Sequence, residues 1–417
     1  MSGTGDTWDG GVPAAADPGR ERLRGETFLC FGWSGWEPGA QTWNQVLRRL
    51  AYRNRVLFVP PPLERTEVLG SRFAPNGSGG GLRHREDHLY VYRYPRFLPN
   101  FYKSRLLIRA IESARLSCLR RALSRIGGKR PILYLLHPKF RGYVGGLNEK
   151  MVMYHVLDEY SGYLGANKAR LRAEERSLLD TADLTLCVSE TLRDAKAGPG
   201  RRVVYVPNGV DFDQFVPDAG EEEETPEDLA AIPSPRAGYV GRVCDKLDYR
   251  LLLDIARAAP EISFCFAGPV LVVTRENRAL FEEWAALRNV HLLGAKPLFE
   301  IPRYVRAFDA CLMPYAMTRE GRQRYPLKLH EYLAAGKPVV SVPLPCLEEL
   351  HGLVRTAESA EGWVEALRGS FAENGDGERE RRIETARRYG WDRVVIRIED
   401  LVRETLASRG ADAGTIA

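Results

Sequence analysis

Strand-like apolar runs alternate with amphipathic helical stretches along this 417-residue chain, and the alternation occurs twice. The first series begins at Thr27, and the second begins after an acidic, proline-containing segment at 217–235. Alternating strands and helices predict a parallel sheet that helices cover on both faces. Two such series therefore predict an α/β fold of two Rossmann-like parallel-sheet domains facing each other across a cleft, with ligands bound beyond the carboxyl ends of the strands.

The apolar pattern also places the individual elements. In the first series we predict strands at Thr27–Phe31, Val56–Val59, Leu89–Tyr94, Ile132–Leu136, Met151–Leu157, Leu184–Cys187 and Val203–Val206, helices at Gln41–Tyr52 and about Lys103–Ile126, and a loop at Arg72–Leu82. In the second we predict strands ending at Gly238–Gly241 and at Ile262–Ala267, Val290–Leu293, Ala310–Met313 and Val339–Val342, with helices at Tyr249–Ala258, near Arg278–Leu287, at Leu327–Ala335 and at Trp391–Ala407. The predicted boundaries are 1–26 for a flexible N-terminal tail, 27–216 and 236–390 for the two domains, 217–235 for a flexible acidic linker and 391–417 for a C-terminal helix and tail.

Composition excludes several classes of protein. Hydrophobic residues make up 44% of the chain and charged residues 28%, as in an ordinary globular protein, and the net charge of +5 gives no reason to expect nucleic acid binding. No apolar run is long enough to span a membrane, and the N-terminus lacks the apolar core of a signal peptide. The seven cysteines are scattered and form no CxxC pair, which favours buried thiols in a reducing compartment. We therefore expect a cytoplasmic location.

One predicted strand-to-helix turn carries two cations. The segment YVGRVCDK at 239–246 ends an apolar strand at Gly241 and then supplies Arg242 and Lys246. Free backbone amides at such a turn, together with an arginine fork and a compact ammonium, can hold a diphosphate. Two solvated surface cations are the alternative interpretation.

A second segment, YPLKLHEYLAAGKPVVS at 325–341, predicts a helix followed by a strand. Leu327 and Leu329 could supply packing and contacts to a nucleotide base. Glu331 lies about one turn after Lys328, and its carboxylate could accept hydrogen bonds from both ribose hydroxyls. The alternative is a helical lysine–glutamate pair on the surface.

Three motifs together resemble the retaining GT-B glycosyltransferases of group 1. They are GRVCDK at 241–246, PNGVDFDQF at 207–215 and PLKLHEYLAAGKPVVS at 326–341. This large family includes bacterial mannosyl-, glucosyl- and N-acetylglucosaminyltransferases that use nucleotide sugars, and the likeness covers nearly the whole chain after residue 27. It implies transfer of a sugar from a nucleoside diphosphate sugar, bound by the C-terminal domain, to a hydroxyl-bearing acceptor on the N-terminal domain. It also implies retention at the anomeric carbon and no cofactor besides the donor substrate.

The resemblance assigns expected roles residue by residue. Arg242 and Lys246, beside Gly241, match the cations that neutralise the donor diphosphate and its leaving group, and Lys328, Leu327 and Leu329 fall in the donor-binding helix segment. Glu331 matches the second glutamate of the Glu-x7-Glu pattern, which holds the ribose. The first glutamate falls at Gln323, which can hydrogen-bond a sugar hydroxyl without carrying charge. Glu320 is a nearby substitute.

Acidic and histidine candidates follow two predicted strands of the N-terminal half. Asp158 comes directly after the strand at 151–157, where the resemblance expects a His-Asp pair with Leu157 at the histidine position. Asp158 could orient or deprotonate an acceptor hydroxyl, or it could cap a helix. His137, just past the strand at 132–136, is a second catalytic candidate, whereas His155 lies inside its strand and is interpreted as a packed or hydrogen-bonded residue.

Two further segments offer contacts to ligands or membranes. FGWSGWEPG at 31–39 follows the first strand, so Gly35 could approach the donor phosphate and Trp33 or Trp36 could stack on a sugar, unless the segment is an ordinary turn. The stretch 102–130 is an amphipathic helix with nine cations (Lys103, Arg105, Arg109, Arg115, Arg120, Arg121, Arg125, Lys129, Arg130) and one acid, Glu112. It could dock on anionic lipid at the inner face of the membrane, or it could be a crossover helix with a solvated polar face.

No metal-binding signature stands out, since the seven histidines are isolated and the sequence has no HExxH motif. Two cations at the phosphates would make a metal unnecessary, so we expect metal-independent chemistry. The leading hypothesis is a glycosyltransferase. The alternatives are a sugar-nucleotide epimerase or pseudoglycosyltransferase on the same fold, or a non-catalytic sugar-nucleotide-binding protein.

Overall fold

The computed structural model describes residues 22–32, 34–36, 41–62, 80–95, 98, 105–160, 167–216, 224–350, 352–372 and 375–415. These residues form two compact units. The described residues up to Val206, together with those from Val395 onward, form the N-terminal unit, and Pro207–Val394 contains the C-terminal unit.

The N-terminal unit is built on an eight-stranded sheet of order β3-β4-β2-β1-β5-β6-β7-β8. Its strands are β1 (Thr27–Phe31), β2 (Arg55–Val59), β3 (Gly81–Glu86), β4 (Leu89–Arg93), β5 (Ile132–Leu135), β6 (Met151–Val156), β7 (Leu184–Cys187) and β8 (Val203–Tyr205). All pairings are parallel except that of β3 with β4. The central strands β1, β5 and β6 are buried along their whole length, as expected of strands with helices on both faces.

Two of the four helices described in this unit begin at a capping side chain. The four helices are α1 (Thr42–Ala51), α2 (Arg105–Arg125), α3 (Lys168–Leu179) and α4 (Glu190–Lys196), with a 3-10 turn at Pro138–Tyr143. The Asn167 side chain accepts a hydrogen bond from the backbone of Arg170 at the start of α3, and Ser189 does the same for Leu192 in α4. Such caps satisfy backbone N–H groups that have no partner within the helix.

The C-terminal unit has a six-stranded parallel sheet of order β13-β11-β9-β14-β15-β16 and a two-stranded sheet of β10 with β12. The strands are β9 (Arg236–Val240), β10 (Val243–Cys244), β11 (Ser263–Ala267), β12 (Val270–Leu271), β13 (Val290–Gly294), β14 (Ala310–Met313), β15 (Val339–Ser341) and β16 (Val354–Thr356). The helices are α5 (Phe212–Phe215), α6 (Glu227–Ala230), α7 (Tyr249–Ala258), α8 (Arg275–Ala285), α9 (Ile301–Ala307), α10 (Lys328–Ala334), α11 (Ala360–Ala372), α12 (Asp376–Arg387) and α13 (Trp391–Thr415), with 3-10 turns at Leu298–Glu300, Gly321–Gln323 and Pro345–Leu350. Helix α13 starts in this unit and belongs to the N-terminal unit from Val395.

Both main sheets reverse their strand order at one internal point. In the N-terminal unit this switch lies between β1 and β5, and in the C-terminal unit it lies between β9 and β14. The loops that leave these strands diverge to opposite sides and open a crevice at the carboxyl edge. Each unit therefore has one favoured ligand site, beyond β1 and β5 or beyond β9 and β14.

The predicted strands and helices are confirmed, with differences in the connecting segments. The sequence analysis missed β3, whose first two residues fall in the predicted loop at 72–82, because its sequence GLRHRE is polar and half-exposed. A charged edge strand has no apolar alternation to reveal it. The rest of that predicted loop, up to residue 79, and the predicted tail up to residue 21 lie outside the described residues.

The predicted linker at 217–235 is ordered where it is described. Helix α6 lies within it, and the Asp228 carboxylate accepts hydrogen bonds from Lys296 Nζ at 2.6 Å and Tyr304 Oη at 2.7 Å. Residues 207–216, which the sequence analysis put in the first domain, belong to the C-terminal unit. The reason is local packing, since the Asn208 amide donates to the Tyr325 carbonyl at 2.8 Å.

Within the described ranges, none of the helices has both the length and the apolarity needed to cross a bilayer.

Candidate functional site

The turn after β9 is a close contact between two backbone segments. Gly241 has φ +124°, and its N–H donates to the Ala267 carbonyl at 2.8 Å. A Cβ on Gly268 would lie 1.9 Å from the Gly241 oxygen, so only glycine fits there. A Cβ on Gly241 would lie 3.2 Å from Lys328 Nζ. The predicted phosphate turn therefore exists, and an ammonium group stands beside it.

Lys328 is held at this turn by two phenols. Its Nζ donates to Tyr239 Oη at 3.0 Å and to Tyr315 Oη at 2.8 Å, and it lies 4.2 Å from the centre of the Tyr239 ring. Burial disfavours the charged form, but the two tyrosines outweigh it and raise the pKa of Lys328 above its usual value. The positive charge is thus fixed beside Gly241. The surface pair with Glu331, considered as an alternative above, is not what this lysine forms.

The backbone around the two predicted phosphate cations is also fixed. The Arg242 carbonyl accepts from Tyr239 Oη at 3.2 Å, while the Arg242 side chain is exposed. The carbonyl of the half-buried Lys246 accepts from the Ala316 N–H at 3.0 Å. This last bond ties the loop after β9 to the loop after β14. The structure therefore brings Arg242, Lys246 and Lys328 to the same edge of one sheet, at its switch point.

Asp245 is a functional candidate that the sequence analysis missed. Its carboxylate accepts hydrogen bonds from the backbone of Val273 at 2.8 Å and Thr274 at 3.1 Å, and from the Asn277 amide at 3.0 Å. Burial alone would raise the pKa of Asp245, but the bonds from Thr274, Val273 and Asn277 lower it. Asp245 thereby holds the 241–246 turn against the start of α8. The sequence analysis missed it because these hydrogen bonds join residues about thirty positions apart, which no local sequence pattern predicts.

Glu331 lies in the first turn of α10 and is half-buried. Burial raises the pKa of Glu331 to about 7, and the neighbouring Lys328 charge opposes that rise only in part. A carboxyl group that ionises near neutrality is a strong hydrogen-bond acceptor for a polar ligand placed over it. Its predicted ribose role is chemically possible at this position.

The residues before α10 form the far side of the candidate site. The Arg324 guanidinium lies 5.2 Å from the centre of the Tyr315 ring, and its Nε and Nη1 are buried without a hydrogen-bond partner. Gln323 and Glu320 are half-buried at the 3-10 turn that precedes it. Arg324 was not singled out from the sequence, because a lone arginine in a polar loop is usually solvated.

The predicted base contact by Leu329 is wrong. Its side chain is fully buried in the core, since this position of α10 faces the sheet, whereas Leu327 at the helix start is half-buried. Adjacent helical positions point in directions about 100° apart, so Leu327 and Leu329 cannot both face a ligand.

In the N-terminal unit, His137 and the loop that carries Asp158 are brought together. They follow the adjacent parallel strands β5 and β6, and the His137 ring lies 4.7 Å from that of Tyr160. Tyr160 Oη donates to the Leu136 carbonyl at 2.5 Å, and Asp158 Oδ1 accepts from the Glu159 N–H at 2.9 Å. The two predicted catalytic residues therefore lie at one edge of the sheet.

The hydrogen bonding of His137 limits its chemistry. Its Nδ1 accepts from the Lys139 N–H at 3.1 Å, and burial, with a smaller effect of Lys139, lowers the pKa of His137 to about 4. The ring is therefore neutral at pH 7 and carries its proton on Nε2. In this state His137 can donate a hydrogen bond to a ligand oxygen but cannot take a proton from it without breaking the bond to Lys139.

A buried ion network supports the same loop. Lys196 Nζ donates to Glu159 Oε2 at 2.8 Å and to Glu175 Oε2 at 2.7 Å, and Tyr154 Oη donates to Glu175 Oε1 at 2.9 Å. Glu159 is thereby used for structure, one residue from Asp158. The predicted packing role of His155 is confirmed, since it is buried and its Nδ1 lies 2.6 Å from Tyr134 Oη.

Comparisons with known proteins agree with this geometry. Residues 234–372, which contain the phosphate turn and α10, match the family model described as glycosyl transferases group 1. The chain is 27% identical over 320 residues to the putative teichuronic acid biosynthesis glycosyltransferase TuaH of Bacillus subtilis, covering 72% of this chain and 77% of the relative. By these matches the protein is a glycosyltransferase, and its residues 234–372 resemble the group 1 family.

Solved structures with the GT-B fold resemble this glycosyltransferase over most of its length. Sucrose-phosphate synthase from Thermosynechococcus elongatus has a TM-score of 0.66 at 16% identity, covering 92% of this chain and 100% of that chain. Anabaena HepE in complex with UDP and glucose gives the same values. An α,α-trehalose 6-phosphate synthase from Burkholderia multivorans has a TM-score of 0.64 at 13% identity, covering 94% and 100%. The fold class predicted from the alternating pattern is thereby confirmed as GT-B.

Other predicted ligand contacts of the glycosyltransferase are changed by the structure. Trp36 is buried against Trp43 and Phe58 at ring distances of 5.5 and 5.2 Å, so its predicted stacking on a sugar is wrong. Gly35 follows β1 at the switch point of its sheet, near the Arg93 guanidinium. Trp33 lies outside the described residues.

Some arginines of the basic helix α2 form hydrogen bonds within the protein. Arg115 donates to the Leu98 carbonyl at 3.1 Å and Arg120 to the Gly146 carbonyl at 2.6 Å, while Arg109, Arg121 and Arg125 are exposed. Across the part of the chain that the structure describes, no group of three or more His, Cys, Asp or Glu side chains could hold a metal ion.

Proposed function

We propose that this glycosyltransferase moves a sugar from a nucleoside diphosphate sugar, with UDP as the first candidate nucleotide, to a hydroxyl group of an envelope glycan, a glycolipid or a secondary metabolite. The observation that carries the proposal is the glycine turn after β9, where Arg242, Lys246 and the tyrosine-held Lys328 meet at the switch point of the C-terminal sheet. A diphosphate is the ligand chemistry that such a turn accommodates. The UDP complexes of HepE support the choice of nucleotide, and the teichuronic acid biosynthesis for which TuaH is named supports the choice of an envelope acceptor.

In this proposal the cations act on charge that develops as the sugar leaves. Cleavage of the bond between the anomeric carbon and the diphosphate adds negative charge to the leaving oxygen, and fixed cations stabilise it without reorganising. Arg242, Lys246 and Lys328 supply this stabilisation, so no metal ion is required. Glu331 accepts hydrogen bonds from the ribose, and Gln323 and Glu320 contact the sugar ring. The sugar is transferred with retention.

The acceptor binds the N-terminal unit beyond β5 and β6. His137 donates from Nε2 to an acceptor oxygen, because its Nδ1 is occupied by the Lys139 N–H. Asp158 orients the reacting hydroxyl and receives its proton.

The test is thermal stabilisation of the purified protein by UDP, GDP, dTDP and ADP, each with Mg²⁺ or with EDTA. A ligand that binds only the folded state raises its apparent stability by mass action. We expect one diphosphate, UDP first, to raise the Tm equally under both conditions, and the effect to be lost in Arg242→Ala. No shift with any of the four would contradict a donor site at this turn. Product analysis without an acceptor separates transfer from epimerisation, since an epimerase needs none.

We also propose that the exposed cations of α2 contact anionic lipid, as their concentration on one helix suggests. Sedimentation with phosphatidylglycerol vesicles should carry the protein down, and Arg121→Gln/Arg125→Gln should reduce this binding. Equal binding to phosphatidylcholine vesicles would exclude an electrostatic contact.

A further inference from the structure

Arg324 is half-buried and has N–H groups that no described residue satisfies. Its guanidinium lies near the Tyr315 ring, and Nε and Nη1 are buried without an acceptor. Among the described residues no carboxylate pairs with it. A guanidinium has five N–H donors in a rigid plane, and leaving buried donors without an acceptor is costly. A residue kept in this state at a ligand site is expected to be satisfied by the ligand.

Tyr315 also contacts a second cation, Lys328. Lys328 donates to its hydroxyl at 2.8 Å and lies 5.3 Å from the ring centre, compared with 5.2 Å for Arg324. Lys328 is the one that reaches the Gly241 turn. One tyrosine thus separates a cation at the phosphate turn from a cation at the 319–325 loop.

The cations at the turn already match the charge of a diphosphate. A nucleoside diphosphate sugar has one negative charge on each phosphate, and Arg242, Lys246 and Lys328 are already at the turn. Arg324 is a further cation, on the side where Gln323 brings an amide rather than a carboxylate. An additional negative charge on the ligand, outside the diphosphate, would balance it.

We propose that the donor sugar carries a carboxylate, as in a hexuronate, and that Arg324 binds this group through its planar fork. The proposal rests on the proposed function and specifies its donor class. The guanidinium plane matches a carboxylate in a two-bond geometry that an ammonium group cannot reproduce. Stacking near Tyr315 orients that plane and reduces the conformational freedom lost on binding.

The test compares the binding of UDP, UDP-glucose and UDP-glucuronate to the full chain by titration calorimetry. Wild type should bind UDP-glucuronate about 10- to 100-fold more tightly than UDP-glucose, the range of a charge-assisted pair. Arg324→Gln should abolish this preference while changing UDP affinity less than about twofold. Arg324→Lys should restore only part of it, since the fork is lost. The matched control is Arg322→Gln, an exposed arginine two residues away, which should keep the full preference.

Three outcomes would overturn the proposal. The first is a wild type that binds UDP well and shows no preference between the two sugars, which leaves the proposed function intact. The second is an Arg324→Gln variant that binds all three ligands equally weakly, which makes Arg324 a phosphate ligand or a structural residue. Absence of UDP binding in wild type overturns the uridine donor and this inference together. If Arg324→Gln does not fold, the wild-type preference and the Arg324→Lys variant still decide.

Discussion

Each unit contains a lysine that donates two hydrogen bonds to side chains, but the two lysines have different surroundings. In the N-terminal unit, Lys196 lies between two carboxylates, Glu159 and Glu175, at 2.8 and 2.7 Å. In the C-terminal unit, Lys328 donates to two neutral phenols. The lysine of the first network is paired with carboxylates inside the protein, whereas the lysine of the second is hydrogen-bonded to neutral groups.

This difference separates a structural network from a ligand site. A buried ion that is paired and hydrogen-bonded stabilises a unique local arrangement, and here it fixes the loop next to Asp158. Buried cations without a carboxylate cost folding free energy unless a ligand supplies the missing charge. We therefore expect the C-terminal site to bind an anion, at the expense of the stability of the free protein.

The largest effect should come from breaking the ion network around Lys196. Lys196→Met leaves two buried carboxylates without their cation and should lower the free energy of unfolding by about 3–5 kcal/mol. Urea denaturation monitored by circular dichroism measures this loss. Arg170→Ala, which breaks the exposed pair with Glu174 on the neighbouring helix, is the control and should cost less than about 1 kcal/mol. Equal losses in the two variants would show that the buried network is not special.

Removing a cation from the C-terminal site should have the opposite effect, a loss of activity without a loss of stability. Arg242→Ala should lower turnover by about 10²–10³-fold, because it removes stabilisation of the leaving group, and should leave the Tm unchanged. Release of nucleoside diphosphate from the donor measures turnover. Arg368→Ala, which breaks an exposed pair with Glu261 in the same unit, should retain activity. Turnover that survives in Arg242→Ala would remove this residue from the site.

Glu331 should make stability fall as pH rises. Its folded-state pKa of about 7 lies above the ordinary 4.5, so between these values the unfolded chain is ionised while the folded protein keeps its proton. Stability is therefore lost progressively from pH 4.5 to 7, by up to about 3 kcal/mol, and changes little above that range. Glu331→Gln should lack this part of the decline when urea midpoints are compared at pH 5 and pH 7. An identical decline in the variant would mean that Glu331 ionises normally.

The smallest effect should come from removing one of the two tyrosine hydroxyls that accept hydrogen bonds from Lys328. Tyr315→Phe removes one acceptor from Lys328 and should weaken nucleotide binding by about fivefold, since one hydrogen bond contributes about 1 kcal/mol. Calorimetric titration with the nucleotide that stabilises wild type gives the change. Tyr304→Phe, which removes a hydroxyl bonded to Asp228 in the same unit, should not alter nucleotide affinity. A larger loss in Tyr304→Phe than in Tyr315→Phe would place the sensitive tyrosine elsewhere.

Much of the candidate site could be predicted from sequence where the relevant contacts are local. Gly241, Arg242 and Lys246 lie within six residues of one another, so the strand-to-helix turn alone brings them together. Glu331 and Lys328 share one helix. Arg324 and Tyr315 escaped prediction because their importance depends on a ring contact and on missing partners, which no sequence pattern displays. Trp36 was assigned to a ligand for the same reason, since its burial against Trp43 depends on the folded loop.

The sequence by itself determined the two α/β units, most of their strands and helices, and the motifs that resemble those of group 1 glycosyltransferases. These follow from apolar periodicity and from glycine, cation and carboxylate spacing, which act over a few residues. Only the tertiary structure decided which charges neutralise one another. Lys196 meets Glu175 across 21 residues and Lys328 meets Tyr239 across 89, and the energy of a buried charge depends on these neighbours. Local spacing cannot encode that outcome, because it is set by the packing of strands and helices from distant parts of the chain.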